Sequence, residues 1–156
     1  MVAVSKFAQK TDVTSDRSRS EIERTLIRYN ADQFMYGWQD DSAMVGFRMN
    51  RKMIRFLLPM PDKNDAEFTL TETGRERSDT QMQKAYEQAT RQRWRALALV
   101  VKAKLEAVES GITTFEEEFM AHIVLPNNKT FAQEALPLIE TAYETGKMPN
   151  LLPHLQ

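Results

Sequence analysis

The chain has no cysteine, which excludes disulfide staples, thiolate nucleophiles and cysteine-ligated zinc. It has only two histidines, few for a metal centre, and its five glycines are never clustered in the pattern that bares backbone N–H groups to a phosphate. There is no Gly-x-Ser-x-Gly elbow, and no Ser/His/Asp set stands out by order. These absences point away from an enzyme and away from any cofactor. No apolar run approaches the roughly 20 residues of a membrane span. The opening Met-Val-Ala-Val-Ser-Lys lacks the apolar core of a signal peptide, so the expected location is the cytoplasm, without a membrane partner. Charge of one sign is also missing in bulk: 21 basic residues against 22 acidic ones give a net charge of −1. A polyanion-coating protein is thereby excluded, and any nucleic-acid footprint must be local.

What is present suffices for one folded unit. At 156 residues, 42% hydrophobic and 28% charged, the chain fits a single domain with its own core. Residues 1–19 are polar and carry no apolar period, so they read as a flexible arm; residues 20–150 read as the domain and 151–156 as an apolar, proline-broken tail. Ser20 and Glu23 stand at capping-box spacing, and Ile22, Leu26 and Ile27 follow at helical intervals, which predicts a short helix over about 21–31.

The period then changes from helical to alternating. Phe34, Tyr36 and Trp38 fall on every second position, and two-residue turns at Asp40-Asp41 and Asn50-Arg51 separate further strands over 43–49 and 52–58. Such turns fix the register. Trp38, Tyr36 and Phe34 should oppose Ala43, Val45 and Phe47, which should in turn oppose Leu58, Phe56 and Ile54. All these pairs are apolar, so the aromatic row belongs to the core rather than to a base-stacking platform. The reverse face carries Met35, Gly37, Met44, Gly46, Arg48, Met53, Arg55 and Leu57, an unusual set for a solvated sheet. It should be covered by a helix, a partner or a ligand, with a homo-oligomer among the options.

Residues 61–78 are polar with few apolar anchors and read as a long mobile connection. A long helix follows over about 79–110, with Ser78 as a candidate N-cap, Gly111 as its stop, and a stripe from Tyr86 through Trp94 and Leu97 to Val108. Thr114 and Glu117 repeat the capping-box spacing ahead of a helix over 115–123. A last helix over 131–144 contains Pro137, which should kink or split it, and ends at Gly146. The fold class is α+β: a three-stranded antiparallel meander packed on a long helix, with a short N-terminal helix and additional C-terminal helices.

Charge is laid out in blocks. Residues 75–104 hold eight basic residues against three acids, whereas residues 105–125 hold five acids and no lysine or arginine. On the long helix Lys84, Arg91, Arg95 and Lys102 are separated by 7, 4 and 7 residues, so they line one face and can track a phosphate backbone. A second basic group, Arg48, Arg51, Lys52 and Arg55, comes from the meander. Convergence of the two would make a cationic groove for single-stranded or duplex nucleic acid, DNA above all. A merely solvated helix face is the other reading of the same row. Glu118 and His122 have metal-ligand spacing, but a mononuclear site needs a third ligand that nothing supplies.

Four segments carry a resemblance: Ser-Arg-Ser-Glu-Ile-Glu-Arg-Thr-Leu (18–26), Ile-Arg-Phe-Leu-Leu-Pro-Met-Pro (54–61), Arg-Gln-Arg-Trp-Arg-Ala-Leu (91–97) and Lys-Ala-Lys-Leu-Glu-Ala-Val-Glu-Ser-Gly-Ile-Thr-Thr-Phe-Glu-Glu-Glu-Phe (102–119). Over roughly residues 17–150 they resemble a family of uncharacterised small proteins of bacteria and their phages. The resemblance implies a phage or prophage setting and transfers no site. It suggests an accessory role in DNA replication or recombination, or a module that inhibits a host enzyme or defence complex through a host or phage protein partner. The order helix, three strands, helix is also similar to that of double-stranded RNA-binding domains, from which the long helix and the two later helices depart.

Overall fold

The computed structural model describes residues 6–150, with side chains from residue 16 onward. Strand β1 (Gln33–Gln39), β2 (Ser42–Met49) and β3 (Lys52–Pro59) form one antiparallel sheet in the order β1-β2-β3. Its register matches the one read from the turns: Phe34, Tyr36 and Trp38 pair with Phe47, Val45 and Ala43, which pair with Ile54, Phe56 and Leu58. Asn50 and Arg51 both have positive φ, the backbone of a type I′ hairpin turn, whose twist matches that of the strands it joins.

Two long helices lie on the inner face of this sheet. Helix α1 (Lys6–Arg28) contributes Ile22 and Leu26 to the core, and α3 (Asp79–Glu109) contributes Trp94, Leu97, Ala98, Val101 and Leu105. Trp94 is fully buried, its ring centroid 5.4 Å from that of Tyr36. Ser78 and Gln81 close a capping box at the start of α3, and Gly111, at φ 80°, follows its end. Helix α1 begins well before the expected Ser20 cap. The segment contains no proline or glycine to interrupt it, so the stretch expected to be a flexible arm is helical from Lys6, and Ser20 lies mid-helix. Residues 1–5 of that arm, and the 151–156 tail, lie outside the described residues.

The connection after β3 differs from expectation too. Residues 66–69 form a helical turn, α2 (Ala66–Thr69), whose Phe68 is buried with its ring 5.6 Å from Tyr86, and Leu70 bridges to Glu76. One buried aromatic fixes the segment to α3. Beyond α3, Thr114 and Glu117 form the expected capping box of α4 (Phe115–Phe119), and a 3-10 turn continues over Met120–His122. Phe119 is fully buried, edge-on to Phe47 and Phe56. Ile123 and Val124 then add to the free edge of β3, with the Val124 N–H donating to the Met53 carbonyl at 2.8 Å.

Helix α5 (Phe131–Thr145) is one continuous element across Pro137, starts at a Thr130–Gln133 capping box and ends at Gly146. The expected split at Pro137 does not occur; a proline loses a single intrahelical N–H donor, and the helix bridges it. Among the described residues no helix is long and apolar enough to cross a membrane.

Candidate nucleic-acid interface

Alternation along the strands decides where the meander's cations go. Ala43, Val45, Phe47, Ile54 and Phe56 are buried under α1 and α3, so Arg48 and Arg55, at the intervening positions, emerge on the outer face of the sheet. There each finds a local partner. Arg48 donates to both carboxylate oxygens of Asp32, at 2.6 to 3.0 Å, which holds the Asp32 carboxyl below its ordinary range and the guanidinium above its own. Arg55 donates to the Asn128 carbonyl at 2.8 Å and to the Asn128 side chain at 3.3 Å, clamping the loop before α5. Lys52 pairs with Glu116 at 3.0 Å, and that hydrogen bond is the main reason the Glu116 carboxyl is held low. Arg51 alone of this group is exposed and makes no hydrogen bond or ion pair with another described residue, at the tip of the β2–β3 turn.

The convergence expected from the sequence is therefore absent: Arg48 and Arg55 lie on the sheet face away from α3, and Arg48 and Lys52 are neutralised by carboxylates. The outer face is filled largely by its own side chains. Met35 and Met44 lie across from Gly46 and Gly37, so closely that a Cβ on either glycine would sit 3.4 to 3.6 Å from the methionine methyl. Arg55 and the loop before α5 cover more of it, leaving Met35 and Leu57 partly exposed.

The long-helix row fares differently. Lys84, Arg91, Arg95 and Lys102 are all exposed, and none makes a hydrogen bond or ion pair with another described residue. Helix α1 runs beside them in the same direction, since Arg17 and Ser18 meet Gln88 and Arg91 while Arg28 meets Lys102. Between the helices lies a cleft of about 620 Å³, with Arg17 and Glu21 on one side and Arg91 and Arg95 on the other. It continues into a smaller one of about 340 Å³ between Arg24, Arg28 and Lys102. Among the described residues, six cations thus line the two clefts against one acid, Glu21.

Half of this site escaped the sequence reading. Arg17, Arg24 and Arg28 stand 7 and 4 residues apart, the same interval that joins Lys84, Arg91 and Arg95, so a matching row was readable once α1 was known to be one helix. Arg24 donates to the Ser20 carbonyl and Arg28 sits 5.3 Å from the Tyr29 ring; neither contact consumes positive charge on a carboxylate. The acidic block is used locally. Glu118 pairs with Lys104 at 3.0 Å, Glu116 with Lys52, and Glu117 caps α4, where the Thr114 backbone and hydroxyl hold its carboxyl low.

No family model, curated protein or solved structure matches the chain.

Glu118 is held by Lys104, and no group of three His, Asp or Glu among the described residues lies within ligating reach. His122 instead stacks on Phe56, ring centroids 4.0 Å apart, and burial, with Lys104 nearby, keeps its pKa below the ordinary 6.5. Phe34, Tyr36 and Trp38 pack against the core and offer no stacking platform to a nucleic acid.

Proposed function

We propose that this protein is a non-enzymatic nucleic-acid-binding accessory factor, acting in a bacterial cytoplasm in a phage or prophage setting and serving DNA replication or recombination. The observation that carries the reading is the α1–α3 cleft, where two rows of exposed basic side chains face each other with, among the described residues, a single carboxylate between them. Elsewhere on the described surface several cations are held by carboxylates, Arg48 by Asp32, Lys52 by Glu116, Lys104 by Glu118 and Lys129 by Glu134, and the others form no facing rows. A solvated helix face needs no such segregation, whereas phosphate binding needs cations that are free to exchange counterions for a polyanion. The site residues are Lys84, Arg91, Arg95 and Lys102, joined by Arg17, Arg24 and Arg28. Gel-shift titration of the intact chain at low salt tests the reading: nucleic acid should be retarded, and Arg91→Glu with Arg95→Glu should abolish the shift. Absence of any shift with micromolar protein would remove it.

One observation favours a second reading, a protein-interaction module that inhibits a host enzyme or defence complex. Helix α5 and the segment after it expose Leu136, Ile139, Tyr143 and Met148, the last two more than 80% accessible. An apolar surface of this kind often marks a protein contact. Under that reading, charge reversal in the cleft leaves partner capture intact and Tyr143→Asp destroys it.

A further inference from the structure

The shape of the cleft narrows what can occupy it. Resting on the nucleic-acid reading above, we propose that the α1–α3 pair binds duplex nucleic acid across its two phosphate rows, without reading sequence and without threading a single strand.

Three features carry this. Among the described residues the cleft lining contains no aromatic side chain; it is Arg17, Ser18, Glu21, Gln88, Arg91, Gln92, Arg95, Ala98 and Leu99, then Arg24, Thr25, Arg28 and Lys102. Binders of single strands gain about 1–3 kcal/mol per base from aromatic stacking, and that gain is unavailable here. The second feature is Glu21. By helical geometry Ser18 and Thr25 lie nearest α3, Glu21 comes next, and Arg17, Arg24 and Arg28 stand further out. The one acid therefore sits inside the rows of cations and lines both parts of the cleft. A strand laid along the floor would pass its phosphates over that carboxylate. A duplex resting on the rims would place its two backbones over the cations and a groove over Glu21.

The third feature is width. A helix with side chains is about 10–12 Å across, and two packed side by side span about 20 Å, too wide for a major groove of about 12 Å. The pair must lie across the backbone, where contacts position the protein but carry no sequence information. From Lys84 to Lys102 the α3 row extends for about 27 Å at 1.5 Å per residue, or about eight base-pair steps of 3.4 Å. The row is presented by a continuous helix, so the spacing of its charges is fixed before binding.

Fluorescence anisotropy with the intact chain separates the possibilities. The probes are two duplex DNAs of unrelated sequence, a duplex RNA and a single-stranded DNA, all of about one length, titrated at several salt concentrations. Both DNA duplexes should bind within about twofold of each other, and the single strand at least about tenfold more weakly. With the six cations that line the clefts engaged, log K should fall with log salt at a slope of about −5 for duplex. Glu21→Gln should change duplex affinity by less than about threefold. Comparable binding of duplex RNA would extend the site to both duplex forms, and its failure would confine the site to DNA; either agrees with recognition of paired phosphate rows. A single strand bound as tightly as the duplexes, or a Glu21→Gln gain of tenfold or more, would overturn the duplex assignment while leaving nucleic-acid binding in place. No binding to any probe would overturn both.

Discussion

Arg48 and Arg55 on the sheet and Arg91 and Arg95 on α3 are the same residue type within one small fold, yet they meet different surroundings. The sheet pair emerges beside Asp32 and the Asn128 loop and becomes part of the scaffold. The helix pair emerges beside more arginine, across a cleft from Arg17 and Arg24, and keeps its charge unspent. Local charge count does not distinguish them, because both groups come from basic stretches of sequence. What distinguishes them is which face the backbone period assigns and which neighbour the tertiary fold brings up to that face.

The comparison can be broken most severely at α3. Arg91→Glu with Arg95→Glu should lower nucleic-acid affinity by about 100-fold or more at low salt, since two attractive contacts become repulsive, while circular dichroism stays unchanged. A smaller effect, about tenfold, is expected for Arg17→Ala with Arg24→Ala in the same titration, because two contacts are lost without repulsion being added. On the sheet the sign of the experiment changes. Arg55→Ala should leave affinity within about twofold of the wild type and cost about 1 kcal/mol of stability through the lost hydrogen bonds to Asn128, seen as a lower denaturation midpoint.

The smallest effect lies where the two regions meet, at His122, which stacks on Phe56 of β3 with Lys104 of α3 nearby. Burial depresses its folded pKa, so below about 6.5 the unfolded chain binds the extra proton first. Stability should therefore fall as pH drops from 6.5 toward the depressed value, and denaturant melts of His122→Phe should be flatter over that window. The carboxylates of Asp32, Glu116 and Glu117 are also held low, so their contribution is present at neutral pH and is lost at still lower pH, as they protonate.

Legibility followed how local the determinant was. The sheet register was readable to the residue because two-residue turns and strict alternation leave one solution, and the caps at Ser78 and Thr114 were readable because a capping box spans four residues. The start of α1 was not, since residues 6–19 carry no apolar stripe to announce a helix, and that omission hid Arg17 as a member of the site. The order of residues 61–78 hung on Phe68 finding Tyr86, a long-range contact with no local signature. That the meander arginines do not join the α3 row was hidden for the same reason: Asp32 and Asn128, which hold them, are distant in sequence from Arg48 and Arg55.

The most direct test is the salt dependence of duplex binding for three chains: wild type, Arg91→Glu/Arg95→Glu and Arg48→Ala/Arg55→Ala. The account predicts a wild-type slope of about −5, a slope shallower by about 2 for the α3 variant, and an unchanged slope for the sheet variant. Equal loss of slope in the two variants, or loss confined to the sheet variant, would contradict it.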